Sequence, residues 1–138
     1  MNDQTERYVK VQVFRFKGDG DLMELAKFDP IDTILIPKQL HQEGFVVIYN
    51  KGDSMEKLIM DGASVVIDTT SCNIISGSIY ALSIPWEGCI LRECHSEPDG
   101  VLLRPYNRNY PVSTINWEEF DPNMVLGRVF CSVMNIFR

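Results

Sequence analysis

The chain has 138 residues, of which 45% are apolar and 23% charged, and its net charge is −6. That length supports one domain, 1–138, with a core that needs neither disulfides nor a metal. The acidic balance excludes a surface that grips phosphate backbones, which takes clustered Lys and Arg. Any DNA binding in the parent system would therefore use a separate domain. Cys72, Cys89, Cys94 and Cys131 form no CxxC pair and only His41 and His95 accompany them, so no metal site and no cofactor are expected, and the thiols read as reduced. There is no apolar run long enough to span a membrane and no apolar leader at the start, which points to a cytoplasmic protein with no membrane partner.

The elements follow in chain order. Val9–Phe16 alternates with period two and reads as a half-buried strand. Lys17–Asp21 is a loop with two glycines. Phe28–Ile36 is irregular, with a short strand near Thr33–Ile36. Pro37–Gln42 reads as a helical turn or two, with Pro37 at its first position and Gly44 just beyond it. Phe45–Asn50 is a strand. Ser54–Met60 fits a short helix capped by Asp53 or Ser54 and stopped at Asp61-Gly62. Strands follow at Ala63–Asp68, Ser78–Ile84, Gly88–Glu93 and Val101–Arg104, with Pro98-Asp99-Gly100 as a hairpin turn between the last two. Met124–Met134 is a long strand with a bulge or bend at Gly127. Trp86 and Trp117 fall in loops and read as packing residues. Many short strands at close spacing give a mainly β, barrel-like or sandwich architecture.

The stretch that carries chemistry is Gly52-Asp53-Ser54-Met55-Glu56. A serine entering a helix sits among unpaired backbone N–H groups at the positive end of the dipole. Such amides can hold an oxyanion during acyl transfer. The plainer reading makes Ser54 an N-cap.

The ordered set is more informative. Gly52-Asp53-Ser54-Met55-Glu56 is followed by Met60-Asp61-Gly62, Val65-Val66-Ile67-Asp68 and Gly77-Ser78-Ile79-Tyr80-Ala81-Leu82. Pro98–Arg104, Asn107-Arg108-Asn109-Tyr110-Pro111 and Leu126-Gly127-Arg128-Val129 come after these. This succession closely resembles the C-terminal domain of the LexA and phage-repressor family, from Phe45 onward and more weakly before it. The resemblance implies a LexA and signal-peptidase-like, partly open β-barrel with short helices, in which residues 1–44 hold an N-terminal strand and a cleavage-loop-like region. It implies a serine–lysine dyad with Ser54 as nucleophile and Gly52, Asp53 and Met55 forming the oxyanion turn.

The dyad is broken here. The family's lysine belongs in a strand patterned Val-Lys-Arg-Leu, about 37 residues downstream of the serine; the counterpart is Cys89-Ile90-Leu91-Arg92-Glu93, which puts Leu91 at the lysine position. A serine hydroxyl needs a base, and leucine has no lone pair. Loss of such a base costs about 10⁴-fold in rate. Arg92 stays protonated, and strand alternation puts it on the opposite side from Leu91. Lys57 and Lys51 read as solvated surface lysines, and His95 as a loop residue. The family cuts an Ala-Gly or Cys-Gly bond; the nearest counterpart is Lys17-Gly18, whose lysine suits a small pocket poorly.

The expected function is thus self-association, a homodimer or higher oligomer that pairs subunits of a phage-type transcriptional repressor, with the peptidase silent. Two alternatives stand beside it: an active self-cleaving peptidase using an unusual base, and a stand-alone accessory protein resembling UmuD with a polymerase partner. The strand Met124–Phe137 carries Phe130, Val133, Met134, Ile136 and Phe137, so one of its faces is a candidate interface.

Overall fold

The computed structural model describes residues 7–15, 30–85 and 87–134. The Lys17-Gly18 pair, Trp86, Ile136 and Phe137 lie outside them. The protein is mainly β, with 52% of residues in strands and 4% helical. Among the described residues nine strands make up one sheet: β1 (Tyr8–Arg15), β2 (Asp32–Pro37), β3 (Phe45–Tyr49), β4 (Ser64–Asp68), β5 (Ser78–Ile84), β6 (Gly88–Glu97), β7 (Gly100–Arg104), β8 (Ser113–Asn116) and β9 (Val125–Val133). Their order is β2-β1-β3-β4-β9-β5-β6-β7-β8, an open sheet with β2 and β8 at its edges. All neighbours are antiparallel except β1 and β3, which pair in parallel.

β1 shows the expected alternation: Val9, Val11 and Val13 turn inward while Tyr8, Lys10 and Gln12 are exposed. β3 and β4 are near-continuous apolar runs because both of their faces are covered. Val47 and Val66 pack with Val13 and Ile36 on one face. Ile48, Val65 and Ile67 pack on the other with Met55, Ile59, Ala63, Ala81 and Leu91. A third cluster, built on Tyr80, Leu82, Cys94, Val101 and Leu103, fills the half of the sheet around β5 to β7. The β3–β4 connection, residues 50–63, thus carries the serine turn on one of the sheet's covered faces.

The segment predicted as a helix over Ser54–Met60 is a run of turns instead. Met55, Ile59 and Ala63 are all buried, at 1%, 2% and 1% exposure, and this four-residue spacing imitates a helical stripe. One i→i−4 bond forms, from Ile59 N to Met55 O at 2.8 Å. The segment is pinned at both ends: Asn50 N donates to Ala63 O, Gly62 N donates to Asn50 O, and Asn50 Nδ2 donates to Met60 O at 3.0 Å. A loop whose ends must meet over so few residues cannot run out as a helix. Pro37–Gln42 likewise yields one turn closed by His41 N on Pro37 O. His95, expected in a loop, lies within β6, because that strand runs to Glu97 rather than Glu93. β8 was not foreseen; its four residues hold one aliphatic side chain and no alternation to read.

β9 carries two register shifts, one opposite Ala81/Leu82 and one opposite Val66/Ile67. Each leaves one extra residue on β9, Leu126 and Phe130, so the bulge or bend expected at Gly127 is a bulge centred one residue before it. Past Arg128, β9 pairs, among the described residues, with β4 alone.

At the end of β4, the Asp68 carboxylate accepts from Thr70 Oγ1 at 2.6 Å, Thr70 N at 3.0 Å and Ser71 Oγ at 3.0 Å. The Thr70 hydroxyl is the main cause that holds its pKa below the usual carboxylate value; burial opposes it and the Thr70 amide, Ser71 and Arg128 assist. The native carboxyl binds its proton less readily than the unfolded one, so this stabilisation is complete above the unfolded pKa and fades as pH falls through the folded one. An Asp68→Asn variant should therefore show a shallower loss of stability in urea titrations between about pH 5 and pH 3.

Candidate functional site around Ser54

Gly52 (φ 127°) and Gly62 (φ 91°) adopt the left-handed conformations that open and close the serine turn; a side chain at either would be strained. Gly52 N donates to Asp61 Oδ1 at 2.8 Å. That amide is therefore spent on holding the turn and does not point at a reacting group. The helix end invoked as the source of an oxyanion hole is absent, since the turn does not continue as a helix. Met55 is a core residue, with its sulfur accepting from Tyr106 N at 3.3 Å.

A second segment, between β7 and β8, clamps the turn from outside. Asn107 N donates to Ser54 O at 2.9 Å. Asn107 Nδ2 donates to Asp53 O at 2.9 Å, and the Tyr110 hydroxyl donates to Asp53 Oδ1. That bond to the carboxylate is the leading cause that raises the Tyr110 pKa. The Asn-x-x-Tyr element noted in the sequence is thus the strap across the serine turn, a role that spacing alone did not disclose. Loss of one such bond is worth about 1–2 kcal/mol, so Asn107→Ala should lower the urea midpoint accordingly and speed amide exchange across 53–56.

Ser54 is half-buried, and Arg92 Nη1 donates to its Oγ at 2.8 Å. The same nitrogen donates to Leu91 O at 2.8 Å. This corrects the expectation that Arg92 would face away. By alternation Arg92 does share a face with Ile90 and Cys94, which belong to the other cluster. However, β6 pairs with β7 only from Glu93 onward, so the strand edge at Arg92 is open and the long side chain reaches round it. Burial lowers the Arg92 pKa, and Glu87 and Tyr110 partly offset this. A guanidinium still keeps its proton.

Leu91 is 5% exposed, packs in the cluster that includes Met55 and Ile59, and shares with Ser54 a cleft of 340 Å³. Among the described residues no carboxylate, imidazole or amine is hydrogen-bonded to Ser54 Oγ. His95 Nε2 is paired with Glu93 Oε2 at 2.7 Å. Lys57 is exposed and borders a different groove, beside Tyr106 and Arg108. Lys51 is exposed at the rim of the Ser54 cleft. Burial pushes the Cys89 and Cys94 thiols up to about 12, which removes them as nucleophiles near neutral pH. Among the described residues no group of His, Cys, Asp and Glu could hold a metal, and no helix is long and apolar enough to cross a membrane. Trp117 is a packing residue, edge-on to Phe120 with its indole N–H on Glu97 O.

A mainly β sheet with a glycine-bounded serine turn strapped by an Asn-x-x-Tyr element defines a peptidase-like domain. The chain belongs to the Peptidase S24-like family, whose model matches residues 30–130. This is the family of LexA, the phage CI repressors and UmuD. The chain is similar to Repressor protein CI of Enterobacteria phage phi80, 39% identical over 62 residues, which are 43% of this chain and 25% of that protein. It is also similar to the HTH-type transcriptional regulator PrtR of Pseudomonas aeruginosa, 35% identical over 89 residues, 62% of this chain and 32% of that protein. The matched region spans no more than about a third of either relative.

Proposed function

We propose that this domain associates the subunits of a transcriptional repressor and does not cleave peptide bonds. The observation that carries the second half is the partner of the serine: Ser54 Oγ meets a guanidinium. The resemblance aligns the family's lysine with Leu91, a buried aliphatic residue lining the same cleft. A cation next to the hydroxyl favours an alkoxide but cannot take the proton, so general-base activation has no agent among the described residues. Incubation of the purified chain at alkaline pH, followed by intact-mass measurement, should return the full-length mass alone. A truncated product that disappears in Ser54→Ala would overturn this half and favour the autoprotease reading.

The association half is supported by β9. Among the described residues nothing pairs with one of its edges beyond Arg128, and Phe130, Val133 and Met134 are 43%, 43% and 46% exposed. An open strand edge flanked by apolar side chains is suited to another protein surface. DNA contact would come from another domain, as the HTH in the name of the Pseudomonas relative suggests for that protein. Joined subunits would then hold two such domains at high effective concentration. Sedimentation should show dimers or larger assemblies. Val133→Lys should weaken association about tenfold or more, by burying a charge at the contact, while the monomer keeps its thermal midpoint. A wild-type chain that sediments as a pure monomer at high concentration would count against the proposal.

A further inference from the structure

We infer that the outer edge of β8 pairs with the same edge of a second copy of this chain, antiparallel about a two-fold axis. This contact is separate from the one proposed at β9 and does not depend on it. β8 ends the sheet, and among the described residues no strand lies beyond it. Its register on β7 sets which groups point outward. Trp117 N donates to Asp99 O at 3.2 Å, and Ile115 and Ser113 lie opposite Val101 and Leu103. In an antiparallel pair every second residue exchanges main-chain bonds with its neighbour. Residues 113, 115 and 117 therefore face β7, and Thr114 and Asn116 face away. Asn116 O is taken by Glu119 N and Phe120 N, both at 2.9 Å. Thr114 N, Thr114 O and Asn116 N have no partner among the described residues. Edge strands are usually guarded by charge, Lys or Pro. β2, at the other edge, begins at Asp32 and ends at Pro37 beside Lys38. β8 reads Ser-Thr-Ile-Asn with none of these guards, between Val112 and Trp117, which are 53% and 45% exposed.

Charge selects the second copy as the occupant, because the two ends of β8 carry opposite signs. At its start, Val112 shares a groove with Lys57, Arg104 and Arg108. The carboxylates of that groove are Glu56 and Glu93, and Glu93 is already paired with His95 and Arg104. Beyond its end lie Glu118, Glu119 and Asp121, all exposed, with Asp99 on the adjoining turn. No Lys or Arg occurs from 109 to 127. Antiparallel pairing sets each start against the other copy's end, so cations meet carboxylates at both ends of the contact. A like-oriented pairing would put cations on cations. With Thr114 opposite the partner's Thr114, the two exchange their main-chain bonds, and each Asn116 N reaches the partner's Val112 O. In that register Pro111, which has no N–H, falls at a position that faces β7 and needs none to cross the axis. The strand is short, so the contact is a weak one, with a dissociation constant on the order of 0.1 mM.

The test is hydrogen exchange at the Thr114 amide of the full chain, followed with protein concentration. Exchange should slow about fivefold between about 0.01 mM and about 1 mM, the change a dissociation constant on the order of 0.1 mM produces. The Ile115 amide, already bonded to β7, should not respond. Two charge-reversed chains then test the pairing. Glu118→Lys with Glu119→Lys makes both ends of β8 positive, and Arg104→Glu with Arg108→Glu makes both negative. Each chain alone should lose the concentration dependence at Thr114, and an equimolar mixture should regain it. Damage to the fold by either pair of substitutions would not be undone by mixing. Oligomers that persist in these chains without protection at Thr114 belong to the β9 contact, so failure of one contact is read apart from failure of the other. A Thr114 amide indifferent to concentration, protection that survives in either charge-reversed chain alone, or a mixture that stays unprotected would each overturn the inference. The first of these would leave the edge to a different protein.

Discussion

Leu91→Lys should lose about 2–4 kcal/mol of stability at pH 7 and still produce no cleaved chain. The leucine is 5% exposed and packed among Ile48, Met55, Ile59 and Ala63. An ammonium placed there is desolvated, and the Arg92 guanidinium next to Ser54 repels it. Both effects lower the lysine pKa, by several units in fully buried cases. The unfolded chain then binds the proton more readily than the folded one, so the variant should recover stability as pH rises toward about 10. Urea midpoints at pH 7 and pH 9 would show this narrowing gap. A neutral lysine would return the base, but the expected scissile pair, Lys17-Gly18, carries a bulkier side chain than the Ala-Gly or Cys-Gly pair the resemblance implies. Rapid self-cleavage by the single variant would show that the scissile segment has been misassigned.

Gly127→Ala should be the most damaging of the small substitutions, costing about 3 kcal/mol or more. A methyl at this position would lie 2.5 Å from Asp68 O, 2.7 Å from Ile67 Cγ2 and 2.9 Å from Asp68 C. Two of those atoms are backbone of β4, and β9 is held on its other side by Ala81 of β5. Neither neighbour can retreat without breaking a ladder. Gly100 is a useful comparison. Its added methyl would come even closer to a neighbour, 2.0 Å from Ile115 O, but Ile115 belongs to the four-residue edge strand β8, which has no strand beyond it to hold it in place. Gly100→Ala should therefore shift or fray β8 and cost less than Gly127→Ala. Parallel urea denaturation of the two variants decides the order; a larger loss for Gly100→Ala would mean that β8 is more firmly anchored than its edge position implies.

The strands were legible because short apolar runs bounded by Gly, Pro, Asn and Asp leave little else for the chain to do. Ser78–Ile84 was read to the residue. The serine turn was legible as a place but not as a shape. Met55, Ile59 and Ala63 recur at the spacing of a helix, and only the tertiary ties from Asn50 decide otherwise. The partner of Ser54 was misjudged for a related reason. Alternation assigns a Cα to a face, but it does not limit a long side chain at an unpaired strand edge. The strap from Asn107 and Tyr110 was visible as a motif, yet its target more than fifty positions away could be known only from the fold.

The place of β9 has a consequence for how the molecule comes into being. Strands β1 to β4 and strands β5 to β8 are two blocks of the ladder, and among the described residues β9 is the one strand that pairs with both. During synthesis both blocks emerge first, each with an open flank exactly where β9 is missing. The sheet cannot close until that last strand has left the ribosome, so folding is delayed until nearly all of the domain is outside. A nascent chain stalled before Val125 would expose two complementary strand flanks to its neighbours, a state prone to pairing between molecules.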